Sequence, residues 1–259
     1  MHHLATYCRL KAAITSFSIG LVLLTGFCVA TEPITLPPGA DFSILPPPPE
    51  DSTPAGLADL SVLLYVQAQR TPDQVKLAVE MADGPSVFAL GREIFGDWFN
   101  RENLPKTADI LRQTSKAASP VLHAAKKNWH RPRPYVRSNL ISPVVAKSSD
   151  AGSYPSGHCF GLAVPEFVLS AAFPEHAAAF DASIHRMMWG RIIGGVHYPT
   201  DTEAGRLLAK DVVGKMLKTK AMTDAIETIR AEAAPFISKA AAGVKGARKQ
   251  PQQSREAGR

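Results

Sequence analysis

Three short polar segments stand out in a chain that otherwise consists of helix-forming, alanine-rich sequence. The first covers residues 126–135, where Lys126 precedes Arg133 by seven positions and a proline flanks the arginine on each side. Because the proline after Arg133 favours an extended backbone, the guanidinium is presented from a stiff loop and can bind an oxyanion. Basic residues at a helix end often interact only with the helix dipole, so this segment is weak evidence by itself.

The second segment, residues 153–158, reads Ser-Tyr-Pro-Ser-Gly-His and precedes an apolar run that is predicted to be a helix. The backbone N–H groups of Gly157 and His158 and the hydroxyl of Ser156 are then expected to face one place, as in an anion site at a helix N-terminus. An ordinary helix with Ser156 as its N-cap would explain the same pattern. It would not explain the imidazole of His158, which can transfer protons near neutral pH.

The third segment covers residues 189–201 and contains Arg191, His197 and Asp201. A helix is expected to end near the glycines at positions 194 and 195, and the proline at position 199 is expected to open the next one. Across this turn the Asp201 carboxylate can accept the Nδ1 proton of His197, which leaves the Nε2 lone pair free to attack. A local hydrogen bond without a function would also explain a histidine four residues before an aspartate.

Taken together, the three segments supply what phosphoryl transfer requires. That reaction needs cations and hydrogen-bond donors around three oxygens, a nucleophile on one side and a proton donor for the leaving oxygen on the other. The residues predicted to bind the phosphate are Lys126, Arg133, Ser156, Gly157 and Arg191. The residues predicted to be catalytic are the nucleophile His197, its orienting carboxylate Asp201 and the proton donor His158.

The pattern K-x6-R-P, P-S-G-H and R-x5-H-x3-D resembles the signature of the type 2 phosphatidic acid phosphatase superfamily. Residues 126–134, 155–158 and 191–201 match it in order and spacing. The chain is most similar to the class A bacterial non-specific acid phosphatases, and this resemblance extends over about residues 44–215. One departure is Gly190, where the family usually has a serine before the arginine. The departure puts a hydroxyl contact at that position in doubt, but not the role of Arg191.

The scarcity of strand signals beside many helical ones predicts an all-α fold. The resemblance implies a covalent mechanism that needs neither a metal nor another cofactor. In that mechanism His197 attacks phosphorus, Asp201 stabilises the resulting imidazolium, and His158 protonates the departing alkoxide. Water then attacks the phosphohistidine while His158 acts as the base. The implied substrates are small phosphomonoesters such as nucleotides or sugar phosphates. An acidic pH optimum and inhibition by vanadate are expected as well.

Three alternative functions remain open at the level of sequence. A vanadate-dependent haloperoxidase resembles the same motif, although those enzymes are usually much longer. A lipid phosphate phosphatase would need an uncleaved anchor, because no apolar stretch long enough to span a membrane occurs after residue 30. A phosphate-binding protein with a decayed site would bind phosphate without turnover, but every side chain needed for the chemistry is present.

Residues 1–30 are predicted to be a secretory signal peptide. Arg9 and Lys11 precede an apolar segment, and small residues follow at 28–30, where a signal peptidase could cut. An uncleaved membrane anchor is the competing interpretation. Cleavage would remove Cys8 and Cys28 and leave Cys159 alone, so no internal disulfide is expected. The mature enzyme is therefore expected in the periplasm or secreted, without stable membrane association.

The remaining chain predicts one compact helical domain over residues 54–240. The full length of 259 residues, with 45% hydrophobic and 20% charged residues, is typical of a globular protein. Residues 31–53 are rich in proline and are expected to form an extended arm, either flexible or docked on the surface. Two helices are predicted to begin at Pro54 and Pro72. Further helices are predicted over residues 85–95, 105–128, 157–172, 175–193, 200–218 and 220–240.

Basic residues are concentrated at the C-terminal end of the chain. The predicted disordered tail, residues 241–259, holds five basic residues against one acidic residue, and residues 31–240 carry no net charge. A nucleic-acid partner would require a basic face on the folded domain, so none is expected. Self-association into a homo-oligomer stays open.

Overall fold

The computed structural model describes residues 32–82, 88–148 and 152–247, and the predicted all-α fold is confirmed. Within these residues there are nine α-helices, one 3₁₀ turn at Pro174–His176 and no β-strand. The helices are Pro54–Gln69 (α1), Pro72–Ala82 (α2), Phe88–Phe95 (α3), Pro105–Asn128 (α4), Pro134–Arg137 (α5), Gly157–Ala172 (α6), Ala177–Ile193 (α7), Pro199–Met216 (α8) and Lys220–Ala247 (α9). The predicted signal peptide lies outside the described residues.

Most helix ends lie where proline and capping residues predict them. The hydroxyl of Thr53 accepts the backbone N–H of Gly56 at 3.2 Å, and Pro54 occupies the first position of α1. Thr71 and Gln74 form a reciprocal pair of side-chain to backbone bonds at the start of α2. Both ends of α4 and of α6 agree with prediction. Helix α5 was not predicted, because a four-residue helix leaves no periodic pattern in the sequence.

Helix α6 lies at the centre of the domain. This enclosed position explains why its sequence is mostly apolar. Ten of its sixteen residues are buried. It packs most extensively on α8 and also against α4, α7 and α9. A helix enclosed on all sides needs no polar face, in contrast to an amphipathic surface helix. The core therefore holds in place the N-terminal end of α6, where the Ser-Gly-His sequence lies.

The proline-rich arm is docked on the domain within residues 32–53. Leu45 is buried, and the Phe42 ring meets the Trp129 ring edge-on with centroids 5.2 Å apart. The hydroxyl of Tyr154 donates to the carbonyl of Pro46 at 2.7 Å. Tyr154 belongs to the second polar segment, so the arm helps to hold that segment in place.

Helix α9 runs to Ala247 and so continues into the region predicted as a disordered tail. Residues 248–259 of that tail lie outside the described residues. Among the helices of the described part of the chain, none combines the length and the apolar character required to cross a bilayer.

Candidate active site

The three polar segments converge on one cavity of about 550 Å³. Six of the eight predicted site residues line it: Lys126, Arg133, Gly157, His158, Arg191 and His197. The other two, Ser156 and Asp201, are fully buried behind the lining residues. The spatial arrangement expected from the sequence is therefore present, although it was inferred from segments dozens of residues apart.

Local backbone structure explains how each segment presents its side chains. Lys126 lies in the last turn of α4, and Arg133 has the extended conformation expected before a proline, with φ −66° and ψ 153°. Arg191 lies in the last turn of α7. Gly195 then turns the chain with φ +73°, a left-handed conformation that favours glycine, and so directs the backbone towards His197.

His197 is held by a carboxylate on one ring nitrogen and a guanidinium on the other. Its Nδ1 lies 3.4 Å from Oδ2 of Asp201, and its Nε2 lies 2.8 Å from Nη1 of Arg133. A guanidinium can only donate, so Nε2 must be the acceptor and the proton must sit on Nδ1. This is the tautomer a nucleophilic Nε2 requires, and the lone pair faces a cation that can also bind phosphate.

Burial sets the protonation state of this pair. Only 1% of the His197 side chain is exposed, and burial, reinforced by the charges of Arg133 and Arg191, lowers the pKa of His197 to about 4. Burial opposes ionisation of Asp201, but the hydrogen bond from His197 and the charge of Arg131 hold its pKa below the usual value. A neutral imidazole therefore lies beside an ionised carboxylate at mildly acidic and neutral pH.

Asp201 receives more hydrogen bonds than the sequence pattern indicated. Its Oδ2 accepts the backbone N–H of Tyr198 at 2.9 Å and the hydroxyl of Ser153 at 2.5 Å, while its Oδ1 accepts Nη1 of Arg131 at 2.7 Å. Arg131 and Ser153 were not predicted as site residues. A second arginine two positions before Arg133 was the one sequence signal for Arg131, and Ser153 adjoins the predicted turn without a signal of its own.

Ser156 acts as the N-cap of α6, as the simpler interpretation of its segment proposed. Its hydroxyl accepts the backbone N–H of Cys159 at 3.4 Å, and its own N–H donates to the carbonyl of Asp201 at 2.9 Å. The second bond ties the start of α6 to the first turn of α8. A direct contact between the Ser156 hydroxyl and phosphate stays a prediction.

Lys126 connects the end of α4 to the second segment. Its Nζ donates to the carbonyl of Gly152 at 2.8 Å. Gly157 lies so close that a Cβ at this position would be 3.4 Å from Cε of Lys126. The lysine stem thus packs on the N-terminus of α6, and Lys126 lines the same cavity.

His158 faces the cavity from the first turn of α6. Its Nε2 lies 3.0 Å from the carbonyl oxygen of Ala82, the last residue of α2. A carbonyl can only accept, so this nitrogen carries a proton. That proton is bonded to Ala82, so a proton transfer to a leaving group would use Nδ1 of the doubly protonated ring. His158 lies on α6, a different element from the one that holds His197.

Arg191 is the clearest sign that the cavity binds an anion. The residue is 6% exposed, and its Nε and Nη1 find no hydrogen-bond partner among the described residues. Burial, followed by the nearby charge of Arg133, lowers the pKa of Arg191, and each buried donor without a partner costs about 1–3 kcal/mol. An anion in the cavity would offset this cost.

Comparison with known proteins agrees with this geometry. The sequence model of the PAP2 superfamily matches residues 114–213, an interval that contains all three segments. This match confirms the resemblance to the PAP2 superfamily over those residues. It is 28% identical over 197 residues to a non-specific acid phosphatase of Salmonella typhi, covering 73% of this chain and 78% of that protein. It is 26% identical to an acid phosphatase of Zymomonas mobilis subsp. mobilis, covering 66% and 67% of the two chains.

These relatives confirm the resemblance drawn from the sequence and the prediction that the chain is an enzyme, an acid phosphatase. Among solved structures, the chain is similar to a transmembrane PAP2-type phosphatidylglycerolphosphate phosphatase from Bacillus subtilis. The identity is 20% and the TM-score 0.47, with coverage of 64% of this chain and 86% of that one.

Gly190, where the family usually has serine, faces α2. A Cβ at this position would lie 3.4 Å from Sδ of Met81 and 3.8 Å from Cα of Ala78, both in α2. These are ordinary van der Waals distances, so the packing of α2 on α7 does not require a glycine here.

The close approach of α6 and α8 at Gly205 yields a prediction about how the site is assembled. In Gly205→Ala, the new Cβ would lie 2.5 Å from the carbonyl oxygen of Ser156. We expect a loss of about 1–3 kcal/mol in the free energy of unfolding, together with weaker inhibition by phosphate, because the start of α6 must shift. Denaturant unfolding and inhibition assays measure the two effects.

Gly214→Ala is the matched control, since it lies on the same helix and a Cβ there meets nothing within 4 Å. It should stabilise the protein by about 0.5–1 kcal/mol, because alanine restricts the unfolded chain. Equal unfolding free energies for the two variants would contradict the packing argument.

Proposed function

We propose that this enzyme is a periplasmic or secreted acid phosphatase that hydrolyses small phosphomonoesters through a phosphohistidine at His197, without a metal. The observation that carries the proposal is Arg191, a buried guanidinium with two donors lacking a partner among the described residues, which lines the same cavity as His197. A phosphate bound in this cavity would pair with Arg191 and lie beside the neutral nucleophile His197. The predicted signal peptide supports export.

In the first step, Lys126, Arg133 and Arg191 bind the phosphate oxygens. Arg133 exchanges its contact with Nε2 for a phosphate oxygen, which frees the Nε2 lone pair of His197 to form a bond to phosphorus. The bond from phosphorus to the ester oxygen breaks, and the leaving alkoxide takes a proton from His158. The proton on Nδ1 stays hydrogen-bonded to Asp201, whose charge stabilises the imidazolium.

In the second step, water attacks phosphorus while His158 accepts a proton from it. The bond from Nε2 to phosphorus breaks, its electron pair returns to the ring of His197, and phosphate leaves. The cations serve both steps, since each passes through a transition state with negative charge on the equatorial oxygens. No step in this scheme requires a metal ion or another cofactor.

The proposed substrates are small organic phosphates, such as sugar phosphates and nucleotides. The cavity volume of about 550 Å³ lies within the range of small-molecule sites and leaves room for an organic group beside the phosphate. The wall of the cavity also includes the aliphatic side chains of Val79, Val144 and Val145. Such a wall accepts varied leaving groups, because it offers few directional contacts.

The function is tested by assaying the mature enzyme against a panel of phosphomonoesters in EDTA. We expect turnover to continue and vanadate to inhibit it, because vanadate resembles the phosphoryl group in transfer. Loss of activity in EDTA, with recovery on adding a divalent cation, would contradict the proposal. Oxidation of halide by peroxide after loading with vanadate would instead assign the site to a haloperoxidase.

The buried position of His197 predicts its titration. Because burial lowers the pKa of His197 to about 4, the nucleophile should stay neutral through the acidic range in which the enzyme is expected to work. As the pH falls through about 4, His197 gains a proton and activity should be lost. The same group should reduce the free energy of unfolding as the pH drops below about 6.5, since only the unfolded state then binds the proton.

Histidine NMR in the free enzyme measures this titration, with His197→Gln used to assign the signal. A midpoint near 6.5, the ordinary value for an exposed imidazole, would contradict the argument from burial.

A further inference from the structure

Helix α1 reaches the candidate active site through one buried carboxylate, Asp59. Its side chain is 3% exposed. Its Oδ1 accepts the backbone N–H of Thr200 at 3.2 Å, and its Oδ2 accepts the Thr200 hydroxyl at 2.5 Å and Nη2 of Arg131 at 2.6 Å. Thr200 immediately precedes Asp201 in the first turn of α8, so Asp59 contacts the element that carries the orienting carboxylate.

Arg131 joins Asp59 to Asp201. Its Nη1 donates to Oδ1 of Asp201 and to the hydroxyl of Thr200, both at 2.7 Å, while its Nη2 donates to Asp59. The guanidinium carbon lies 4.0 Å above the ring of Tyr198. Only 3% of the Arg131 side chain is exposed. Its contacts with the two carboxylates, Thr200 and Tyr198 fix its position away from the cavity. It does not line the cavity and so has no place in phosphate binding.

Four buried side chains, those of Asp59, Arg131, Asp201 and His197, reach a net charge of zero after phosphoryl transfer only when Asp59 is included. Asp59 and Asp201 are both negative, Arg131 is positive, and His197 is neutral before reaction, so the buried group carries one net negative charge. When His197 accepts a phosphoryl group, its ring becomes an imidazolium and the sum becomes zero. Without the charge of Asp59, Arg131 would cancel that of Asp201, and the imidazolium would form as an uncompensated charge inside the protein.

We propose that Asp59 and Arg131 are positioning residues that maintain the charge and orientation of Asp201 and thereby set how strongly His197 holds the phosphoryl group. The inference rests on the proposed phosphohistidine function and deepens it. The other charged groups that face His197 are Arg133, from the loop after α4, and Arg191, from α7. Both are cations in the cavity, so Asp201 and, through Arg131, Asp59 provide the negative charge on the protein side of the ring.

Asp59→Asn tests the proposal because it removes the charge and nearly preserves the shape. The two chemical steps should respond in opposite directions. Formation of the phosphoryl enzyme should slow by about 10- to 100-fold, by analogy with the loss of outer hydrogen-bond partners of metal-binding histidines. Hydrolysis of the phosphoryl enzyme should become faster, because a less basic imidazole is a better leaving group. The dissociation constant of inorganic phosphate should stay within about twofold, since none of the cavity cations changes.

Rapid-quench kinetics with a labelled phosphomonoester measures the two steps separately. Thr200→Val is a matched variant that removes hydrogen bonds from the same cluster but keeps every charge, and it should not speed hydrolysis of the phosphoryl enzyme. Asp73→Asn, an exposed aspartate in the first turn of α2, should leave both rates unchanged. Equal slowing of both steps in Asp59→Asn would indicate a merely structural role and overturn the proposal, as would wild-type rates.

The wild-type enzyme separates failure of this inference from failure of the proposed function. If the wild type forms no phosphoryl enzyme, the phosphohistidine mechanism itself is wrong. If it does and Asp59→Asn has wild-type kinetics, only the role of Asp59 is wrong. Should Asp59→Asn unfold at the assay temperature, Asp59→Glu, which keeps the charge, is assayed instead. It should retain the wild-type ratio of the two rates, and faster hydrolysis of its phosphoryl enzyme would contradict the proposal.

Discussion

Replacing His197 by alanine is expected to lower kcat by about 10⁴-fold or more, because no covalent intermediate can then form. The cavity should still bind phosphate, since Lys126, Arg133 and Arg191 remain in place. Loss of turnover with retained binding of phosphate separates removal of the nucleophile from collapse of the site. Steady-state kinetics and binding of inorganic phosphate are the measurements.

His185→Ala is a suitable control, because His185 is a half-exposed histidine on α7 that does not line the cavity. It should retain wild-type kinetics. Substantial activity in His197→Ala would show that another group attacks phosphorus and would end the assignment of the nucleophile.

The second large effect is expected at Arg191. Arg191→Ala removes a buried guanidinium that can donate to the phosphate in both transition states, so kcat/KM should fall by about 10²- to 10³-fold. Inhibition by vanadate should weaken in parallel, because vanadate resembles the transferred group. Folding should suffer little in the absence of phosphate, since the substitution also removes donors that have no partner among the described residues.

Arg186→Ala, on the same helix, is the matched control because Arg186 is exposed and paired with Glu93. It should leave kinetics and vanadate inhibition unchanged. If Arg191→Ala raised KM without lowering kcat, Arg191 would contribute equally to substrate and transition-state binding, contrary to the expected preference for the transition state.

The three segments that line the cavity can be identified from the sequence because their signals are local. A proline on each side of Arg133 fixes its backbone, a serine and a glycine mark the start of α6, and a glycine pair ends the helix that carries Arg191. Each of these signals depends on neighbours within a few residues, so one chain suffices to find them. The resemblance to a family then supplied the step from three segments to one cavity.

The supporting contacts could not be predicted in the same way. Asp59 lies 72 residues before Arg131, and α1 has no pattern that marks one aspartate as buried among otherwise exposed polar positions. The choice between a flexible and a docked arm was equally open, because the bond from Tyr154 to Pro46 joins residues 108 positions apart. Such contacts form through tertiary packing, and the secondary-structure propensity of the local sequence does not indicate them.

The 2.8 Å contact of Arg133 with Nε2 of His197 also depends on tertiary structure. The sequence assigned one residue to phosphate and the other to attack, and gave no reason to expect them to touch. Through this contact the buried guanidinium of Arg133 and the buried neutral imidazole of His197 satisfy each other's hydrogen-bonding groups before substrate binds. Phosphate would replace the imidazole as the partner of Arg133 and release Nε2 for attack.

Trapping the reaction intermediate tests the account most directly. The wild-type enzyme is mixed with a phosphomonoester labelled on phosphorus, quenched with alkali within one turnover, and digested to peptides. We expect the label on the peptide that contains His197, in a bond that is stable to alkali and labile to acid, and no label in His197→Ala. Turnover without a labelled enzyme, or label on any other residue, would contradict the central claim.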